Sequence, residues 1–157
     1  MRVNHQDEQA DEPADRIIAS LTDLAGALGR LNDLIAQRLG IAQTDLLCLH
    51  MLNRAGACTA GALSAQLGRS TGAVTHMIDR LEKAGYVQRK PDPQDRRRVL
   101  VEAFAPGLER IASFYEHMDA RSRRLTATFS DDQLAAIHAF LQGSYDSAVE
   151  ECDQLIR

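Results

Sequence analysis

Hydrophobic residues at the two ends of the chain follow helical spacing. From about residue 15 to residue 39 they alternate in steps of four and three, and after a helix cap at Ser130 they recur every seven residues. The apolar positions of these two stripes are Ile17, Leu21, Leu24, Leu28, Leu31 and Ile35, then Leu134, Leu141, Ala148 and Leu155. Narrow stripes are typical of helices that pack against other helices, which favours an intertwined homodimer. The alternative is a monomer whose long helices merely cover the core.

Four more helices are predicted between these ends. In order, they are a helix that opens at Gln43 or Thr44, one from a cap at Thr59 to a turn at Gly68, one from a cap at Ser70 to Gly85, and one long helix over residues 108–125. The second and third of these make a helix-turn-helix.

Residues 69–102 combine a two-faced helix with a hairpin. One face of the helix carries Val74, Met77, Ile78 and Leu81, and the other carries Gly72, Thr75, His76, Asp79 and Lys83. A strand over residues 86–90, a turn at residues 91–93 and a returning strand over residues 99–101 form the hairpin, whose tip is residues 94–98. This order predicts a mainly α fold with a small β-hairpin wing, in which a winged helix-turn-helix domain is joined to long N- and C-terminal dimerisation helices.

The pattern divides the chain into three kinds of region. Residues 1–14 are expected to be an acidic, mobile tail, residues 15–39 and 105–157 to be dimerisation helices, and residues 40–104 to be the winged domain.

Charge and composition narrow the function. Residues 69–98 hold eight Lys and Arg against four Asp and Glu, a local charge of +4, so the remaining residues sum to −8 within the total of −4. Aromatic residues make up only 4% and Trp is absent, which argues against a stacking platform for single-stranded nucleic acid.

There is no apolar run long enough to cross a membrane and no signal peptide, so we expect a cytoplasmic protein with no membrane partner. Three cysteines without metal-ligand spacing predict neither a disulfide framework nor a metal site, and no cofactor is expected.

The outer face of the helix and the hairpin tip suit double-stranded DNA. Small hydrogen-bonding side chains near a helix N-terminus can enter the major groove, and a guanidinium on a thin hairpin fits the minor groove. The residues expected to contact DNA are Ser70, Thr71, Gly72, Thr75, His76, Arg80, Arg89, Lys90, Asp95, Arg96, Arg97 and Arg98.

Plainer roles stay open for several of these residues. Ser70 can be committed to capping its helix, His76 can be an ordinary exposed histidine, and Arg80 can form a structural ion pair. The hairpin tip can be a simple solvated turn. Among the basic residues, Arg89, Lys90, Arg96 and Arg98 are expected to contact phosphates.

Several motifs in this order resemble the MarR family of multiple-antibiotic-resistance-type transcriptional regulators. They are residues 63–68 (LSAQLG), 70–75 (STGAVT), 78–87 (IDRLEKAGYV) and 92–97 (DPQDRR), followed by residues 99–101 (VLV). The resemblance implies a homodimeric winged helix-turn-helix regulator, most often a repressor, that binds a pseudo-palindromic operator and is not an enzyme. It also implies that Arg97 enters the minor groove while Asp95 steadies its side chain.

The resemblance further implies a small ligand that releases the protein from DNA. Such a ligand, aromatic or amphipathic, would settle between the dimerisation helices and the winged domain. The candidate pocket residues are His50, Met51, Phe114, His117 and Met118, each of which can equally be plain core.

Departures from the family pattern limit the choice of signal. The first long helix has no Cys, unlike family members that sense organic hydroperoxides, and the chain has no Trp, unlike those that bind urate. Phe104-Ala105-Pro106-Gly107 stands where a Thr or Ser usually caps the helix after the wing, so we expect a different junction there. Two alternatives remain, namely a thiol-based redox regulator that uses Cys58 or Cys152, and a winged-helix protein-interaction module without DNA binding.

Overall fold

The structure is a computed structural model that describes residues 13–156. The elements of these residues, in chain order, are α1 (Pro13–Leu39), α2 (Gln43–Ala55), β1 (Cys58–Thr59), α3 (Ala60–Leu67), α4 (Thr71–Lys83), β2 (Val87–Pro91), β3 (Val99–Ala103), α5 (Ala105–Ala112), α6 (Glu116–Thr126) and α7 (Asp131–Ile156). The predicted fold class, mainly α with a small β-wing, is confirmed. Nowhere in residues 13–156 is there a helix long and apolar enough to span a membrane.

The chain divides into two compact units, with the boundary between residues 46 and 47 inside α2. In the first unit, α1 begins at Pro13, where proline's fixed φ suits the first turn of a helix. Most of the tail expected over residues 1–14 lies outside the described residues. Along α1, Ile35 and Ala36 are buried, whereas Ile17 and Leu24 are about half exposed.

In the second unit, local capping signals set the ends of the helix-turn-helix. The Thr59 side chain accepts a hydrogen bond from the Ala62 amide at 3.2 Å at the start of α3. Gly68 ends α3 in the left-handed conformation with φ 59°, which glycine adopts without steric cost. The turn is fixed by the Ser64 hydroxyl, which donates to the Arg69 carbonyl at 2.5 Å.

A small three-stranded antiparallel sheet follows, with β3 between β1 and β2. In the hairpin Val87 pairs with Ala103 and Pro91 pairs with Val99. The strand β1 was not predicted, because two residues are too few for an alternating pattern, and its Cys58 pairs with Val101. The sheet therefore ties the wing to the residues that precede α3.

The core of the second unit lies beneath α4. Its most deeply buried side chains come from α2, α3, α4 and the sheet, and include Leu49, Leu52, Leu63, Val74, Ile78, Leu81 and Val101. At about 25 cal/mol per Å² of apolar surface removed from water, burial of this set is the main force that holds α4 in place. The predicted inner face of α4 is confirmed.

The prediction of one continuous helix over residues 108–125 is wrong in its continuity, because the structure has two helices there, α5 and α6. Around the break the amide of Phe114 donates to Ile111 and that of Tyr115 to Ala112, at a spacing of three residues instead of four. The Ser113 hydroxyl also donates to the Arg110 carbonyl at 2.9 Å, and such competition for a helix carbonyl favours a bend. Apolar spacing runs through the break unchanged, so it gives no sign of it.

The junction between wing and α5 lacks a side-chain cap, as its sequence suggested. Phe104 occupies the cap position without a side-chain hydrogen bond, and its amide donates to the Tyr86 carbonyl at 2.8 Å. A Cβ at Gly107 would lie 2.6 Å from the Gly85 carbonyl oxygen. Glycine at this position therefore lets α5 lie directly against the turn after α4.

Candidate nucleic-acid interface

The outer face of α4 is solvent-exposed and carries small polar side chains. Thr71, Gly72, Thr75 and His76 are all exposed, and a Cβ at Gly72 would meet no atom within 4 Å. Since the opposite face is buried in the core, the helix is held firmly while this surface stays open. Arg80 is exposed on the same helix.

Two hydroxyl groups on this face are partly engaged with the helix itself. Ser70 caps α4 by accepting a hydrogen bond from the Ala73 amide at 3.3 Å, which leaves its own O–H able to donate. Thr75 donates its hydroxyl proton to the Thr71 carbonyl at 2.9 Å, so it offers only acceptor lone pairs and a methyl group to a partner. Capping and an outward contact are thus compatible at Ser70.

The wing tip, residues 94–98, is ordered by two aspartates. The Asp95 carboxylate accepts from the Arg97 amide at 3.0 Å, and the Asp95 carbonyl accepts from the Arg98 amide at 2.9 Å. Asp92, which is largely buried, accepts from the Gln94 amide at 2.9 Å. Asp95 thus holds the backbone of Arg97 and fixes the position of that residue in the loop.

The three arginines of the wing tip project into solvent. Arg98 has a weak partner, since its Nε lies 3.8 Å from the Asp92 carboxylate. Arg96 and Arg97 are exposed and form no ion pair with the carboxylates of residues 13–156. Their charges are therefore available to an anionic partner.

The wing base, which we define as Arg89 and Lys90 on β2, is built differently. The Arg89 guanidinium is paired with Asp79, at 2.6 Å, and with Glu82, both on α4. Glu82 also accepts from the Arg89 amide at 3.2 Å. The hydrogen bond to Asp79, followed by contacts with Glu82, holds the pKa of Arg89 above its ordinary value. Arg89 thus connects the helix to the wing.

Lys90 is engaged with the neighbouring strand. Its ammonium pairs with Glu102 on β3, which also accepts from the Gln88 side-chain amide at 2.8 Å. The hydrogen bond from Lys90, and then that from Gln88, lowers the pKa of Glu102. The structure therefore places both basic residues of the wing base against carboxylates, where the sequence predicted phosphate contacts.

Comparisons with known proteins identify the family. A family model described as MarR family matches residues 41–99. The HTH-type transcriptional regulator YcgE of Bacillus subtilis is 39% identical over 120 residues, which are 76% of this chain and 78% of that protein. The chain belongs to the MarR family. The resemblance seen in the sequence motifs is confirmed.

Two further comparisons support the assignment to the MarR family. The multiple antibiotic resistance protein MarR of Salmonella typhimurium is 31% identical over 109 residues, which cover 66% of this chain and 73% of that protein. A solved structure of a cysteine-to-serine mutant of MarR from E. coli, complexed with operator DNA, is 26% identical with a TM-score of 0.51, covering 81% of this chain and 92% of that one.

One of the residues predicted to line a ligand pocket in this MarR-family protein lies at a cavity. A cavity of about 470 Å³ opens in the second unit between α2, α5 and α6. Of the predicted residues only His50 lines it, while Met51, Phe114, His117 and Met118 lie elsewhere. Tyr115, which was not predicted as a pocket residue, does line the cavity, and its hydroxyl lies 3.4 Å from His50 Nε2.

The cysteines are spread over separate environments. Cys48 is fully buried, Cys58 is partly buried in β1, and Cys152 is exposed on α7. Burial raises the pKa of the Cys58 thiol, which disfavours the reactive thiolate. Within residues 13–156 there is no group of His, Cys, Asp and Glu side chains suited to a metal ion.

Proposed function

We propose that this protein is a sequence-specific transcriptional regulator that binds a pseudo-palindromic operator as a homodimer. The observation that carries the proposal is the combination, in one unit, of an exposed polar helix face with a wing tip of exposed arginines. Helix α4 reads the major groove and the wing tip enters the adjacent minor groove. The operator-bound structure of the E. coli relative supports this assignment.

The chemistry of α4 sets what the helix can read. Thr75 retains acceptor lone pairs and a methyl group, so it suits an exocyclic amine or the thymine methyl. His76 adds a ring nitrogen on the same face. Gly72 removes bulk where the helix backbone comes closest to the base edges. Ser70 caps the helix and donates its hydroxyl to a phosphate.

The wing tip supplies the second contact. In a narrow minor groove the negative potential is enhanced, and an arginine gains from it without reading a base-specific pattern. Arg97 enters the groove, while Arg96 and Arg98 contact the flanking phosphates. Asp95 positions Arg97 by holding its amide. A protein-interaction module without DNA binding would not require three exposed arginines at this site.

The dimer is supported by apolar side chains that the single chain leaves exposed. Ile137, Leu141, Tyr145 and Val149 recur every four residues on α7 and are 39–46% exposed. An exposed apolar stripe of this length marks an interface, and a second copy of the chain is its occupant. Two recognition helices related by a two-fold axis then meet major-groove faces about 34 Å apart.

Light scattering of the purified protein tests the dimer. A dimer is expected at micromolar concentration, and Leu141→Glu should shift it towards monomer or aggregate, because a charge is placed in the apolar stripe. Ala139→Glu, on the opposite side of α7, is the matched control and should remain dimeric. A stable, folded monomer of the unmodified protein would refute this part of the proposal.

Binding to a randomised-site DNA library tests the function. We expect enrichment of a two-fold symmetric site, with affinity that falls steeply as salt rises, at a log–log slope of about −0.9 per phosphate neutralised. Thr75→Ala or His76→Ala should relax preference at one or two base pairs of each half-site, at a cost of about 1–3 kcal/mol each. Absence of any enriched site, or a salt-independent affinity, would count against the proposal.

We also propose that the protein is a repressor and that a small molecule releases it from DNA. The cavity of about 470 Å³ lies within the size range of small-ligand sites. A ligand in it acts by favouring one arrangement of the winged domain over another.

A further inference from the structure

The cavity between α2, α5 and α6 has a mixed lining. Leu108 and Ile111 of α5 form its apolar wall. His50 of α2 and Tyr115, at the start of α6, form an aromatic wall, with ring centroids 5.9 Å apart and ring planes tilted by 59°. An apolar wall beside aromatic edges and faces is the usual lining for a small organic ligand.

The sign of the charge in the cavity is negative. Glu109 of α5 and Asp119 of α6 both line it, and none of the described lining residues is Lys or Arg. The neighbouring α5 cation, Arg110, is directed to the Tyr86 ring instead. An anionic ligand would meet two carboxylates here, whereas a cation would gain from both of them.

The aromatic pair adds no opposing charge. Burial lowers the pKa of His50, so its imidazole is neutral at neutral pH. Burial raises the pKa of Tyr115, so its phenol stays protonated. A cation can also lie against an aromatic ring and gain from its quadrupole.

We infer that this cavity binds a small amphipathic organic cation, with its apolar part on Leu108 and Ile111 and its charge between Glu109 and Asp119. The inference rests on the proposed function, since it names the chemical class of the releasing ligand. Anionic aromatic compounds are the competing class, and the experiment separates the two.

Helix α5 connects the cavity to the DNA-binding surface. The same eight-residue helix that contributes Leu108, Glu109 and Ile111 to the cavity contacts the end of α4 with Gly107 and Arg110. The Arg110 guanidinium lies 4.3 Å from the centroid of the Tyr86 ring and donates to the Ala84 carbonyl at 3.3 Å. Gly107 packs against Gly85 with no room for a Cβ. A ligand that displaces α5 therefore displaces the turn where α4 ends and the wing begins.

Calorimetric titration with matched probes tests the ligand class. The pairs are 2-phenylethylammonium with 3-phenylpropionate, and tetraphenylphosphonium with tetraphenylborate, which differ mainly in the sign of their charge. We expect the cation of at least one pair to bind about tenfold or more tightly than its anion. Equal binding of both members, tighter binding of the anion, or no binding of any probe at millimolar concentration would overturn the inference.

Replacing the two cavity carboxylates by uncharged amides tests whether they cause the preference for the cation. The double variant Glu109→Gln with Asp119→Asn should lose most of the preference for the cation, because both carboxylates become amides of similar size. Glu116→Gln, an exposed α6 residue outside the cavity lining, is the matched control and should leave the preference unchanged. A preference that survives the double variant would place the cation elsewhere and overturn the assignment.

Separate measurements of operator binding and probe binding distinguish a failure of this inference from a failure of the proposed function. Operator affinity without probe tests the proposed function alone, and probe binding without DNA tests the cavity alone. Arg110→Met should keep cation binding but reduce the loss of operator affinity that the cation causes, and Arg110→Lys should restore part of it. A cation effect that is the same in Arg110→Met would exclude the α5 route, and thermal unfolding of each variant checks that it is folded.

Discussion

The wing base and the wing tip carry similar charges in different settings. At the base, Arg89 is bound to carboxylates of α4 and Lys90 to a carboxylate of β3. At the tip, Arg96 and Arg97 have no carboxylate partner among residues 13–156. Two of the eight basic residues in the +4 segment are thus already neutralised within the fold. The count of eight basic residues therefore overstates the number of phosphates that this surface can reach.

The difference assigns separate tasks to the two regions. The base maintains the geometry between α4 and the wing, because Arg89 holds two α4 carboxylates from its position on β2. The tip supplies exposed charge on a loop whose backbone is fixed by Asp92 and Asp95. Affinity for DNA should therefore depend directly on the tip, and stability without DNA should depend on the base.

Loss of Arg97 should have the largest effect. Arg97→Ala is expected to reduce operator affinity by about 1–3 kcal/mol, chiefly at sites with A·T-rich flanks, while the preferred half-site core stays the same. Binding to a library with randomised flanks measures both quantities. Asp95→Ala should reproduce a weaker form of this loss, and the double variant should be less than additive. Gln94→Ala is the control at the same tip, and an Arg97→Ala protein with unchanged affinity and flank preference would show that the wing does not enter the groove.

Loss of Arg89 should lower the stability of the folded protein even in the absence of DNA. Arg89→Ala is expected to lower the free energy of unfolding by about 1 kcal/mol, because Asp79 and Glu82 lose their shared partner. Chemical denaturation measures this change, and Arg97→Ala should leave it almost unaltered. In a double-mutant cycle, Asp79→Asn should cost little once Arg89 is absent. Equal stability of the Arg89→Ala and unmodified proteins would mean that the wing base does not hold the wing.

The elements that sequence analysis located correctly depend on local signals. Thr59 and Ser70 cap their helices through hydrogen bonds three residues along the chain, and the inner face of α4 follows from periodicity alone. The two-residue strand β1 and the break at Ser113 gave no such signal, because one is too short to alternate and the other interrupts a continuous apolar pattern.

The sequence predicts which residues form the candidate site, but it does not predict which of their side chains pair with one another. Which residues lie on α4 and the wing follows from the motifs. That Arg89 meets Asp79 and Glu82 follows only from the fold, which brings a β2 residue beside carboxylates seven to ten positions earlier. The cavity likewise depends on α2 and α6 meeting across 65 positions of sequence at His50 and Tyr115.

Arg98 should behave as an intermediate between tip and base, since Asp92 is its weak partner. Arg98→Ala is expected to make the log–log salt slope of operator binding shallower by about 0.9 for each phosphate that the variant no longer neutralises, with no change in sequence preference. Arg98→Lys keeps the charge and should keep the slope. Affinity titrations over a range of salt concentrations decide the matter, and an unchanged slope in Arg98→Ala would indicate that Arg98 serves the wing alone.

The smallest expected effect is a pH dependence at the wing base. Because Lys90 and Gln88 lower the pKa of Glu102 in the folded protein, the contribution of Glu102 is present above its unfolded pKa of about 4.3 and is lost as pH falls through the lower folded value. The thermal midpoints of the unmodified protein and Glu102→Gln should therefore differ near neutral pH and converge in acid. Lys90→Met should shrink the difference at neutral pH, because it removes the main cause of the shift. A Glu102→Gln protein whose midpoint differs equally at all pH values would show that the wing base is held by packing and not by its ion pairs.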